Sequence, residues 1–131
     1  MFIRFVSSQW DARARSCAGL FAPAYRLRQS SAAPGWQRAE LARELDWFAR
    51  HLEVPARLRL PVGHRGRLNG VCWFRDCAAE HVSHARYIAW LLDENGVPIE
   101  ELRASHPGTI IWGDDHQVVA LTDRAAPYCY H

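Results

Sequence analysis

Three side chains able to hold a metal ion or attack a substrate fall within one short stretch: Cys77, His81 and His84. Spaced by four and then three residues, they would rise from neighbouring turns on one side of a helix. Thiolate and neutral imidazole are ligands for zinc and other transition metals, so a transition-metal site on Cys77, His81 and His84 is one expectation. The seven-residue step from Cys77 to His84 spans about 10 Å of helix axis, however, which strains a single ion. Completion would have to come from His106, His116, Cys129 or His131. A second expectation is catalysis by Cys77 with His81 as base, because a thiol in the first helical turn feels the helix dipole and ionises more readily. His81 also lies in line with Ala85, Ile88 and Leu92, the position of a hydrogen-bonded core histidine.

The order strand, loop, Cys, helix is similar in outline to thiol phosphatases and rhodanese-like enzymes. Those phosphatases need an Arg six positions after the Cys; here that position is Ser83, which disables that chemistry. A third candidate site depends on strand direction. If the strands ending at Ser7, Arg75 and Ala104 run parallel, Ser7, Arg75, Asp76 and His106 gather at one sheet edge, where open α/β sheets bind ligands. Asp114-Asp115-His116 pairs carboxylates with an imidazole, although such residues also suit a hairpin turn for backbone reasons. No GxGxxG, GxxxxGK[ST], HExxH or GxSxG pattern occurs.

The elements that must position these groups follow from periodicity and punctuation. Phe2 to Ser7 is aromatic and β-branched, predicting a strand. Leu20 to Arg28 and a segment after Pro34 with Leu41, Leu45, Phe48 and Leu52 read as helices, the second ending near Pro55. Residues 56–69, with Arg57, Arg59, Arg65 and Arg67, read as a basic loop or hairpin. Gly70 to Arg75 reads as a buried strand, with Asp76 as N-cap for a helix from Ala78 to Glu94 that Asn95-Gly96 ends. Val97 to Ala104 fits a strand better than a helix, and Thr109–Trp112 with Gln117–Leu121 predicts a hairpin. The expectation is an α/β or α+β single domain over residues 1–121 with a tail at 122–131. About five strands form a mixed sheet with two to three helices in the order β-α-α-β-α-β-β-β, and Gly70 to Ala104 forms a right-handed crossover.

Composition narrows the function. At 131 residues and 49% hydrophobic the chain can bury a core, and no apolar run is long enough to span a membrane. All 16 basic residues are Arg, so Schiff-base and P-loop lysine chemistry are excluded. Residues 1–67 hold twelve Arg against five acids, a net of +7, and residues 68–131 four Arg against nine acids, a net of −5. Such a split suits steering onto a charged partner. The Arg57, Arg59, Arg65 and Arg67 stretch, with Trp36 and other aromatic residues, is the candidate partner surface, for another protein or, as an alternative, for nucleic acid. Four cysteines outside CxxC pairs read as reduced thiols, and the chain as cytoplasmic.

From Val71 onward, Val-Cys-Trp-Phe, Glu80-His81, Asn95-Gly-Val-Pro98, Leu102-Arg103, Pro107-Gly108 and Asp115 through Ala120 resemble a group of small bacterial α/β proteins with no established activity. The resemblance covers the second half of the chain. It implies a bacterial cytosolic protein, nothing catalytic, and a strand at Val97 to Ala104. The expected function is a non-enzymatic binding or regulatory protein of immunity, anti-toxin or adaptor type, the alternative a thiol- or metal-dependent enzyme centred on Cys77 and His81.

Overall fold

Alternation in Phe2-Ile-Arg-Phe-Val6 puts Ile3 and Phe5 on one face of a strand and Phe2, Arg4 and Val6 on the other. Both faces are buried, which makes this strand the hinge of the whole sheet. The computed structural model describes residues 1–53 and 70–123. Its elements are β1 (Phe2–Asp11), β2 (Ser16–Gly19), α1 (Phe21–Arg28), α2 (Gly35–His51), β3 (Val71–Arg75), α3 (Ala79–Glu94), β4 (Glu100–Ala104), β5 (Thr109–Gly113) and β6 (Gln117–Leu121). The fold is mixed α+β, as expected, with one six-stranded sheet in which every pairing is antiparallel.

β4 runs along one edge of β1, from Phe2↔Ala104 to Val6↔Glu100. The other edge of β1 is shared: β3 pairs at Phe2↔Arg75 and Ile3↔Phe74, and β2 pairs from Val6↔Gly19 outward. Beyond β3 come β6 and then β5. Because β3 and β4 both oppose β1, they are parallel to each other with β1 between them, and α3 links them across it. The expected β-α-β connection from β3 to β4 is therefore present with β1 inserted between its strands. The expected parallel β1 is not, because its start, not its end, lies beside the ends of β3 and β4.

All three helices bury their apolar sides on the Ile3, Phe5 and Phe74 face, where Leu41, Leu45, Phe48, Val82, Ala85, Ile88, Leu91 and Leu92 complete a continuous core. A second cluster, Val6, Ala14, Cys17, Val71, Trp73, Leu102, Ala104, Val118 and Ala120, occupies the opposite face. Helix ends show the local chemistry. α3 closes in a Schellman motif, with Gly96 at φ +80° and the Val97 N–H donating to Leu92 O at 2.9 Å. Its N-cap is Ala78, without a side-chain cap, rather than Asp76. Gly108, at φ +116°, has Leu121 O only 2.1 Å from where a Cβ would sit, so only glycine lets β5 begin against the end of β6. Asp114 shapes the β5–β6 turn by accepting from the N–H groups of His116 and Gln117, which is the turn role its sequence suggested. Among the described residues no helix is long and apolar enough to cross a membrane.

Candidate functional site

α3 does carry His81 and His84 toward one neighbourhood, but α2 and the β5–β6 hairpin meet them there. His51 and His84 both stack on Trp47, at ring distances of 4.3 and 3.9 Å. His81 meets Trp47 edge-on at 4.9 Å and stacks on His116 at 4.3 Å. Each of three rings has a polar partner: His84 Nδ1 binds the buried carboxylate of Glu44, His81 Nε2 donates to His51 O at 2.9 Å, and His51 Nδ1 donates to Trp47 O at 2.8 Å. Histidine here joins two helices and a hairpin. Cys77 is an exposed free thiol, with no hydrogen bond to His81 among the described residues. Among those residues no group of three or more His, Cys, Asp or Glu is arranged to hold a metal ion, so Cys77, His81 and His84 do not form such a group.

The strand-end cluster divides. Arg75 and Asp76 lie beside the start of β1, where the Asp76 N–H donates to Met1 O at 3.2 Å. Arg75 Nε donates to Asp114 O at 2.8 Å, and its guanidinium lies over the Phe2 ring, which ties β3 to the hairpin turn. His106 pairs with Asp123 at 2.7 Å. Ser7 lies midway along β1, past the stretch that pairs with β3, donating to Ala18 O at 3.1 Å in the β2 pairing. Antiparallel pairing thus corrects the expectation that Ser7 joins Arg75, Asp76 and His106. Arg57, Arg59, Arg65 and Arg67 lie outside the described residues, while Trp36 stands exposed on the first turn of α2. Cys17 is disulfide-bonded, which corrects the expectation of four reduced thiols; Cys72 and Cys77 are free.

A site that spacing did not indicate lies where β1 exchanges partners. After Ile3↔Phe74, β3 leaves β1, and Trp73, Cys72 and Val71 pair only with Val118, Val119 and Ala120 of β6. β2 does not join until Val6, so Arg4 and Phe5 face a fork. A cavity of about 310 Å³ opens there, lined by Arg4, Phe5, Asp11, Leu20, Cys72 and Phe74 among others. Residues of both sheet faces contribute to it.

Arg4 is 4% exposed. Its guanidinium donates to Ser16 Oγ and to Cys17 O, each at 2.6 Å, and both acceptors are uncharged groups. It has no ion-pair partner among the described residues. Asp11 acts on it only at a distance, and the Asp11 carboxylate is occupied by the Arg13 N–H at 3.0 Å. Burial lowers the Arg4 pKa to about 10, against the weaker opposing pull of Cys72 and Asp11, so the group stays cationic at neutral pH. Burial likewise pushes the Cys72 thiol up to about 12, and its S–H donates to Gln117 Oε1 at 2.8 Å. A thiol so held is protonated and a poor nucleophile. A signal for this site did exist in the sequence: Arg4 is the one charge in Phe-Ile-Arg-Phe-Val, on the same face as Phe2 and Val6.

The fold and this fork define a mixed α+β protein whose single sheet is covered by helices on one face. Comparison with protein-family models, curated proteins and solved structures found no match.

Proposed function

We propose that the protein is a non-enzymatic binding module that acts through another protein, in the manner of bacterial immunity, anti-toxin or adaptor proteins. The observation supporting this is the aromatic outer surface of the helical layer. Trp36 is 57% and Trp90 46% exposed, and Tyr87 lies parallel to Trp90 at 6.0 Å. Asn95 Nδ2 donates to Gln37 Oε1 at 2.7 Å, which ties the C-cap of α3 to the first turn of α2, the turn that carries Trp36. Exposed Trp and Tyr are the side chains that most often anchor protein interfaces. The proposed setting is the bacterial cytosol, which the free thiols of Cys72 and Cys77 favour; the disulfide at Cys17 favours an oxidising compartment.

The test is affinity capture from bacterial lysate with the wild-type chain and with W36A/W90A, each with and without nuclease. A protein retained after nuclease by wild type and lost from the double variant is the expected result. Retention that depends on nucleic acid, or that survives the double substitution, contradicts the proposal.

A further inference from the structure

A buried cation without a counter-charge is an expensive group, because taking an ion out of water costs far more than an ordinary polar group, and proteins usually recover the cost by pairing. Arg4 recovers it in part, from a hydroxyl and a carbonyl. A guanidinium has five N–H donors, so beyond those two bonds three N–H remain without an acceptor among the described residues. A cationic guanidinium with N–H groups to spare and a cavity against it calls for an acceptor that carries negative charge.

We propose that the fork cavity binds a small monocarboxylate with an apolar body, its carboxylate held by Arg4 and its body packed among Phe5, Leu20, Phe21 and Phe74. A guanidinium matches a carboxylate in two parallel hydrogen bonds, the pairing for which Arg is best suited. The walls choose the rest of the ligand. Aromatic and aliphatic side chains dominate the lining, and about 310 Å³ is the lower end of ligand-pocket volumes, enough for one ring or a short alkyl chain. Asp11 on the wall opposes a doubly charged anion such as phosphate. The protonated Cys72 thiol, already bonded to Gln117, leaves the ligand bound without covalent chemistry. This site is separate from the tryptophan surface of the helices and does not depend on it.

The test is calorimetric titration of the full chain with butanoate, phenylacetate and the neutral analogue phenylacetamide. Saturable binding of at least one carboxylate is expected, with the amide weaker by about tenfold or more. R4K keeps the charge but loses the two-pronged geometry, and should weaken binding by about tenfold. Because a change at buried Arg4 also removes its bonds to Ser16 and Cys17, G19L provides an independent variant that leaves them in place. Gly19 lines the cavity, and a Cβ there would have only Phe5 O within 4 Å, at 3.7 Å, so a leucine can enter the cavity without a backbone clash. G19L should keep the wild-type circular dichroism spectrum and lose the binding. The proposal is overturned if neither carboxylate binds saturably, if the amide binds equally well, or if folded G19L binds as wild type does.

Discussion

Around Trp47, the polar groups of His51, His81 and His84 find their partners inside the fold: Glu44 for one ring, backbone carbonyls for the other two, aromatic faces for all. At the β1 fork, Arg4 has hydrogen bonds but no ion-pair partner among the described residues, and a cavity lies against it. Titratable residue types are denser in the first region, yet their chemistry is spent on joining α2, α3 and the hairpin. The second has fewer such groups and leaves some of their capacity unused. The comparison teaches that a cluster of reactive residue types marks a functional site only where the fold leaves donors or charges unsatisfied.

If the Trp47 region is structural, its removal should cost the most stability. W47A takes away the surface on which two imidazoles stack and should lower the unfolding free energy by about 3 kcal/mol in urea denaturation. E44Q, which weakens the bond to His84, should cost about 1.5 kcal/mol by the same measurement. A much smaller loss in either would break the contrast. R4M should behave differently, because losing two hydrogen bonds is offset by removing a desolvated charge: a change within about 1 kcal/mol, with carboxylate binding abolished. The exposed Arg86–Glu101–Arg103 group serves as the control. Hydrogen bonding from Arg86 first, then from Arg103, holds the Glu101 carboxyl below its usual value of 4.5. A lowered folded pKa gives stability that is present at pH 7 and fades as pH falls from 4.5 through the folded value. With Arg86 half exposed, solvent screening keeps the effect small. E101Q should cost less than about 1 kcal/mol at pH 7 and nothing measurable at pH 2, read from urea midpoints at the two pH values.

Local signals in the chain carried most of the elements. Leu41, Leu45 and Phe48 marked α2, Asn95-Gly96 marked the end of α3, and Asp114 marked the hairpin turn. β2 escaped because Ser16–Gly19 has neither β-branched nor aromatic residues; its strand geometry comes from pairing with β1. Strand direction escaped as well, and with it the gathering of Ser7 with Arg75 and His106, since direction is set by long-range pairing that no local spacing encodes. His81 and His84 were placed correctly on one helix, but Glu44, Trp47 and His116, distant in sequence, determine what they do. Arg4 was legible as a charge in an apolar strand, whereas the fork that makes a cavity beside it depends on where β3 leaves β1 and β2 joins.

The most direct measurement is the arginine Nε–H region of a ¹H–¹⁵N spectrum, recorded for wild type and R4K while phenylacetate is added. The prediction is one resonance, missing from R4K, that shifts saturably with phenylacetate and stays still with phenylacetamide. If no arginine Nε–H resonance moves, or if every one that moves is still present in R4K, Arg4 does not receive a carboxylate and the fork is a closed part of the core.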